Sequence, residues 1–159
     1  MTRMPRSVLT GVVAILIATP ALSVDDRWTA GFGQGTAEAS IRSRTGSIFR
    51  VFCGGGTGGR RMGVVLEGLA QTAPKGRPLD VRVVVDGRTF PFAVTDGYGA
   101  VDARGGRFAL EAMAKAMLAS KAARFTIAYP SLNVSEAYSL GGVRDALQDR
   151  GGTILTPCL

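Results

Sequence analysis

Pro78-Leu79-Asp80-Val81-Arg82-Val83-Val84-Val85-Asp86-Gly87-Arg88-Thr89-Phe90-Pro91-Phe92-Ala93-Val94 is the stretch on which the fold turns. Val81, Val83 and Val85 alternate with Arg82 and Val84, the period of a strand with one face in a core. Phe90, Phe92 and Val94 repeat that period beyond Asp86-Gly87. Asp-Gly between two alternating apolar runs signals a hairpin, because the two-residue turn needs positive φ and glycine supplies it without steric cost. Pro91 has no N–H to offer a neighbouring strand, which predicts that the return strand lies near a sheet edge.

Working toward the N-terminus, Ser47 to Cys53 (SIFRVFC) is rich in β-branched and aromatic residues and reads as another strand. Phe49, Val51 and Cys53 share one face, predicted to point inward; Ile48, Arg50 and Phe52 share the other. The glycine run Gly54-Gly55-Gly56-Thr57-Gly58-Gly59 invites comparison with a phosphate-cradling loop. Such a loop ends in Gly-Lys-Ser/Thr and opens a helix, whereas Arg60-Arg61 here leads into a second strand over Met62–Leu69. The run is therefore read as a flexible hairpin connection. Residues 24–46 read as extended and partly strand-like, with Trp28 as a core or rim anchor.

Toward the C-terminus, Asp96-Gly97 reads as a turn. In residues 107–120, Leu110, Met113, Ala114, Met117 and Leu118 recur at helical spacing among good helix formers. Arg124 to Tyr129 alternates as a strand that Pro130 ends, and Val134 to Leu140 alternates again, with Tyr138 and Leu140 on one side. Gly142 to Arg150 reads as a short helix with Val143, Ala146 and Leu147 facing in, stopped by Gly151-Gly152. Strands predominate and no repeating strand–helix–strand unit is seen. The expected fold is mainly β or α+β: an antiparallel sheet or sandwich with one mid-chain helix and one short C-terminal helix.

Residues 1–23 read as a secretory signal peptide. Arg3 and Arg6 stand without an acid, Val8 to Ala18 forms a short apolar core, and Ala21-Leu22-Ser23 offers small residues at a cleavage site. The apolar stretch falls short of the ~20 residues of a spanning helix, so no stable membrane anchor is expected after cleavage. Residues 24–159 are then one globular domain in the periplasm or outside the cell. The 159 residues carry a net charge of +7, which loss of Arg3 and Arg6 lowers to +5. Most of the basic residues are dispersed, and no basic run interleaves with aromatics, so a nucleic-acid partner is not expected.

Two cysteines, Cys53 and Cys158, are expected to pair as a disulfide in an oxidising compartment. The chain has no histidine, which removes His-based acid–base chemistry, a Ser-His-Asp triad and the usual zinc sites. Asp86, Asp96 and Asp102 are the nearest carboxylates in sequence, but Asp86 and Asp96 each precede a glycine in a turn. No catalytic residue, metal site or cofactor motif is assigned. Arg60, Arg61 and Tyr98, in glycine-rich loops, are candidate partner contacts.

Several motifs together resemble the invasion-associated locus B family of small exported proteobacterial proteins. They are Trp28 soon after the signal peptide, Val51-Phe52-Cys53, and the hairpin from Pro78 to Gly87. A helix and a Phe-x-Ile-x-Tyr strand (Phe125 to Tyr129) follow, then Tyr138-Ser139-Leu140-Gly141-Gly142-Val143 with Asp145-Ala146-Leu147. The sequence departs from that family in lacking its central cysteine pair. The resemblance implies a non-enzymatic, β-rich envelope protein. The expected function is thus an exported accessory or binding protein of the bacterial cell envelope, contacting an envelope or extracellular protein. An inhibitor of an extracytoplasmic enzyme such as a lysozyme, and a carboxylate-based hydrolase of an envelope polymer, are the alternatives.

Overall fold

A computed structural model of the chain describes residues 26–56, 59–101 and 104–148. Among these residues nine strands and two helices follow in the order β1 (Thr29–Gly33), β2 (Thr36–Arg42), β3 (Ile48–Gly56), β4 (Gly59–Glu67), β5 (Leu79–Val85), β6 (Arg88–Val94), β7 (Tyr98–Ala100), α1 (Arg104–Ala119), β8 (Arg124–Tyr129), β9 (Val134–Ser139) and α2 (Val143–Gln148). They form two antiparallel sheets, a five-stranded one in the order β1-β2-β3-β4-β7 and a four-stranded one in the order β6-β5-β8-β9. The mainly antiparallel β architecture with one long and one short helix is the one the sequence pattern predicts.

Each sheet buries alternate residues. In the first sheet Ala37, Ala39 and Ile41 of β2, Phe49, Val51 and Cys53 of β3, and Met62, Val64 and Leu66 of β4 point inward. Val81, Val83 and Val85 of β5, Phe90, Phe92 and Val94 of β6, and Phe125, Ile127 and Tyr129 of β8 answer from the second. Helix α1 adds Leu110, Met113, Ala114 and Met117, and α2 adds Val143, Ala146 and Leu147 to the same core. Burial of so many apolar side chains, each contributing ~1.5–3 kcal/mol relative to exposure, dominates the stability of the fold.

The Asp86-Gly87 turn forms as read, both residues at positive φ (47° and 76°), and β6 with Pro91 is an edge strand. Three expectations are corrected. The hairpin read at the glycine run forms, but Gly54, Gly55, Gly56 and Gly59 are strand residues of it rather than loose connection: β3 continues to Gly56 and β4 begins at Gly59, with Gly54 opposite Arg61 and Gly55 opposite Arg60. The second strand therefore starts before Met62 and ends at Glu67, before Leu69, where a short 3-10 turn over Leu69–Thr72 takes over. Finally, Tyr98 lies on β7, paired to β4 with Tyr98 opposite Val65, and not in a loop. Residues 1–23, Cys158 and Asp102 lie outside the described residues. Among the described residues no helix is long and apolar enough to cross a membrane.

Candidate functional site

Two regions carry polar side chains in arrangements that core packing alone does not explain. The first is buried. Ser43 to Ser47 makes the turn between β2 and β3, closed by Ser43 N–H to the Ser47 carbonyl (2.8 Å) and Gly46 N–H to the Ser43 carbonyl (3.0 Å). That turn aims two hydroxyls at Glu136 on β9, some ninety residues later. Ser47 Oγ donates to Glu136 Oε1 at 2.6 Å and Thr45 Oγ1 donates to the same oxygen at 2.9 Å. Tyr138 donates to Oε2 at 3.0 Å and Tyr129 at 3.4 Å. Thr45 has one proton and spends it on Glu136, so Ser43, 2.8 Å away, donates to Thr45 Oγ1.

Glu136 and both tyrosines are buried. A carboxylate is tolerated there only because its oxygens accept from hydroxyls on both sides. The tyrosines are held neutral well above their ordinary range. For Tyr129 the larger cause is burial, followed by the Glu136 charge; for Tyr138 it is burial, followed by neighbouring Tyr129 and Glu136. Gly68 lets the turn settle: its φ is +94°, and a Cβ there would lie 2.5 Å from Ser47 Oγ. Phe49, Phe125, Tyr138 and Trp28 interlock beside the cluster at centroid separations of 5.4–6.3 Å, and Trp28 Nε1 donates to the Ser139 carbonyl at 2.9 Å. Arg124 grips Asp26 with both terminal nitrogens (3.2 and 3.0 Å), and Arg44 Nε adds a third contact at 3.2 Å. The assembly fastens the β2–β3 turn and the start of the described chain to the second sheet. Its buried carboxylate is shut off from substrate, so its role is structural.

The second region is the outer face of the five-stranded sheet. Phe52 points away from the core yet is buried, because Tyr98 of β7 stacks on it at 5.3 Å between centroids with a 27° interplanar angle. Gly63 on the intervening β4 makes the stack possible. A Cβ at Gly63 would meet the Phe52 ring at 2.9 Å and the Gly99 carbonyl at 2.2 Å. Tyr98 remains 43 % exposed, enough to present a ring face and a hydroxyl to a partner. Arg61 lies exposed on the same face of β4, two residues from Gly63. Farther along, Arg50 bridges Glu38 and Glu67, each at 3.3 Å.

Of the candidate contacts read from sequence, the fold thus brings Arg61 and Tyr98 onto one sheet face, and the Arg60 side chain is outside what is described. Asp86 and Asp96 are not brought together. Asp86 and Asp96 bracket the seven residues of β6, ~23 Å apart at the rise of a strand, far beyond the reach of a glycosidase pair. Asp86 accepts from Ser120 Oγ (3.0 Å), and Asp96 accepts from the Gly76 N–H (3.0 Å) beside a shallow cleft of about 410 Å³ lined by Ala70, Ala73, Lys75 and Asp96. Among the described residues no group of three or more metal-binding side chains converges.

The model of the YfjT family matches residues 26–147. The chain belongs to the YfjT family. The matched span runs from Asp26, which Arg124 grips, to Leu147 in α2. It therefore contains both sheets, α1, the Glu136 cluster and the Phe52–Tyr98 face of this YfjT-family chain. No curated protein and no solved structure matches the chain.

Proposed function

We propose that this YfjT-family protein is exported to the bacterial cell envelope and serves there as a non-enzymatic accessory protein that binds another envelope or extracellular protein. The observation that carries the reading is the outer sheet face, where an aromatic pair lies outside the core and beside an exposed arginine. Tyrosine and arginine are the side chains that most often anchor protein interfaces, because each combines a flat apolar surface with polar groups at its rim. The stack holds the Tyr98 ring in place before any partner arrives, which lowers the entropy lost on binding.

Export is supported by the charge, apolar core and small-residue site of residues 1–23. In the oxidising compartment this implies, Cys53 on the inner face of β3 pairs with Cys158 and ties the C-terminus to the first sheet. Peptide mapping without reductant should recover a Cys53–Cys158 peptide, and an intact mass should begin after Ser23. The motif likeness to the invasion-associated locus B family supports the same envelope reading.

Site-specific photo-crosslinking from position 98 in intact cells should capture a discrete envelope or secreted protein. Tyr98→Ala and Arg61→Glu, assayed from a neighbouring crosslinker position, should each weaken that capture at least tenfold, with the unfolding midpoint unchanged for Arg61→Glu and lowered for Tyr98→Ala only by the lost stack on Phe52. Recovery of uncrosslinked protein from position 98 in every growth condition would overturn the reading.

A further inference from the structure

β1 forms one edge of the five-stranded sheet. β1 and β2 are joined by Gln34-Gly35, both at positive φ (51° and 77°), a two-residue turn that makes Gly33 and Thr36 a hydrogen-bonded pair. Antiparallel pairs alternate, so Gly31 opposite Glu38 and Thr29 opposite Ser40 also face inward to β2. The N–H and C=O groups of Ala30 and Phe32 then point away from the sheet. Trp28 confirms the parity: its N–H points to the same outer side and is taken by the Gly141 carbonyl at 2.9 Å. Beyond Trp28, among the described residues, no backbone group takes up those of Ala30 and Phe32.

All five residues of β1 are exposed, and Phe32, at 77 %, is the most exposed large apolar side chain described. The other three edges carry the features that keep strands from pairing with strangers. β6 has Arg88 and Pro91, β9 turns the charge of Glu136 inward, and β7 is only three residues long. β1 (TAGFG) has no charge and no proline, and it pairs with β2 without a bulge.

We infer that a second copy of this chain pairs with β1 antiparallel across a twofold axis at Gly31. Only that register satisfies the outward groups. With Gly31 opposite its own copy, Ala30 stands opposite Phe32 of the partner subunit and the two exchange both hydrogen bonds, twice by symmetry. An axis at Ala30 would set Phe32 against Trp28, whose N–H is already taken. An axis at Phe32 would set Ala30 against Gln34, whose positive φ has left the strand. Each Phe32 ring lies against the small Ala30 of the other copy, and the two Gly31 residues meet on the axis with no side chain between them. The result is one continuous sheet through both subunits, independent of the Phe52–Tyr98 face.

Gly31 and Gly33 have open space around a Cβ and ordinary negative φ, so both accept cysteine. In the paired register, position 31 lies ~4.5 Å from its own copy between Cα atoms, within disulfide range. Position 33 lies ~13 Å from its copy. Under mild oxidation of the purified protein, Gly31→Cys should yield a covalent dimer whose bridge peptide mapping assigns to position 31 of both copies, and Gly33→Cys should yield none. Sedimentation of the unmodified protein should show the mass rising from monomer toward dimer with concentration. Ala30→Pro, whose missing N–H is an outward one and no part of the β1–β2 ladder, and Phe32→Lys should both hold it monomeric, and for Phe32→Lys the unfolding midpoint of the monomer is retained. The proposal is overturned if the protein stays monomeric throughout and Gly31→Cys does not crosslink, as it would with residues 149–159 or another peptide on the edge. Equal crosslinking from positions 31 and 33, or a dimer indifferent to both variants, would overturn it as well.

Discussion

The two ends of the five-stranded sheet are built on opposite principles. At the β2–β3 turn, Thr45, Ser47, Tyr129 and Tyr138 converge on one buried carboxylate, Ser43 backs Thr45, and every polar side-chain atom buried among the described residues has a partner. At the β1–β2 turn, by contrast, Phe32 is exposed and no described backbone group takes up the outward N–H and C=O groups of Ala30 and Phe32. Among the described residues one end is complete; the other has hydrogen-bonding capacity and apolar surface left over. The difference teaches where to look for stability and where to look for partners, since groups already satisfied inside a fold have little to offer outside it.

If the comparison is right, substitutions at the first end should be far more damaging. Glu136→Ala should have the largest effect, a loss of about 3–5 kcal/mol, because four hydroxyl groups lose their common acceptor in a buried setting. Urea unfolding followed through Trp28 fluorescence would measure it. Gly68→Ala should come next, at about 2 kcal/mol, combining an unfavourable positive φ with intrusion on Ser47 Oγ. Tyr138→Phe should cost about 1–1.5 kcal/mol by removing one donor while keeping the ring in its stack.

Alkaline pH probes the same end. Both tyrosines have folded pKa values raised above their ordinary 10.0, so the folded state keeps protons that the unfolded chain releases. Their contribution is fully present below about pH 10 and is lost as pH climbs toward the raised values. Each tyrosine should steepen the loss by about 1.4 kcal/mol per pH unit, and Tyr138→Phe should remove one such increment from the stability–pH curve above pH 10. The smallest effect belongs to the other end: Phe32→Ser should shift monomer stability by less than about 0.5 kcal/mol in dilute solution. A large loss there would erase the contrast.

How much of this was legible in the sequence follows from the range of the interactions. The β5–β6 hairpin, α1 and β8 were readable because turn chemistry and periodicity act over a few residues: Asp86-Gly87, Leu110 to Leu118, and Phe125 to Tyr129. The edge position of β6 was readable from Pro91 alone, because a missing N–H is a local fact with a topological consequence. The hairpin of β1 and β2 was less legible, since Gln34 is an unusual residue to take positive φ and left only an extended reading of residues 24–46. β7 is three residues long, and its place depends on Gly63 opening room for Tyr98, a contact that no local pattern announces. Glu136 went unread altogether. Within Val134 to Leu140 it shares its face with Tyr138, but nothing nearby reveals that its partners are the hydroxyls of a turn on the other sheet. Three polar residues at alternate positions, Ser43, Thr45 and Ser47, were the one available hint.

Amide hydrogen exchange read residue by residue tests the contrast most directly. The account predicts that the amides of Phe49, Ile127 and Tyr138, buried in paired strands, exchange only through global unfolding. The amides of Ala30 and Phe32 should exchange within an order of magnitude of an unprotected peptide in dilute solution and gain protection as concentration rises. Protection of Ala30 and Phe32 equal to that of Tyr138 at every concentration would contradict it, as would rapid exchange around Glu136.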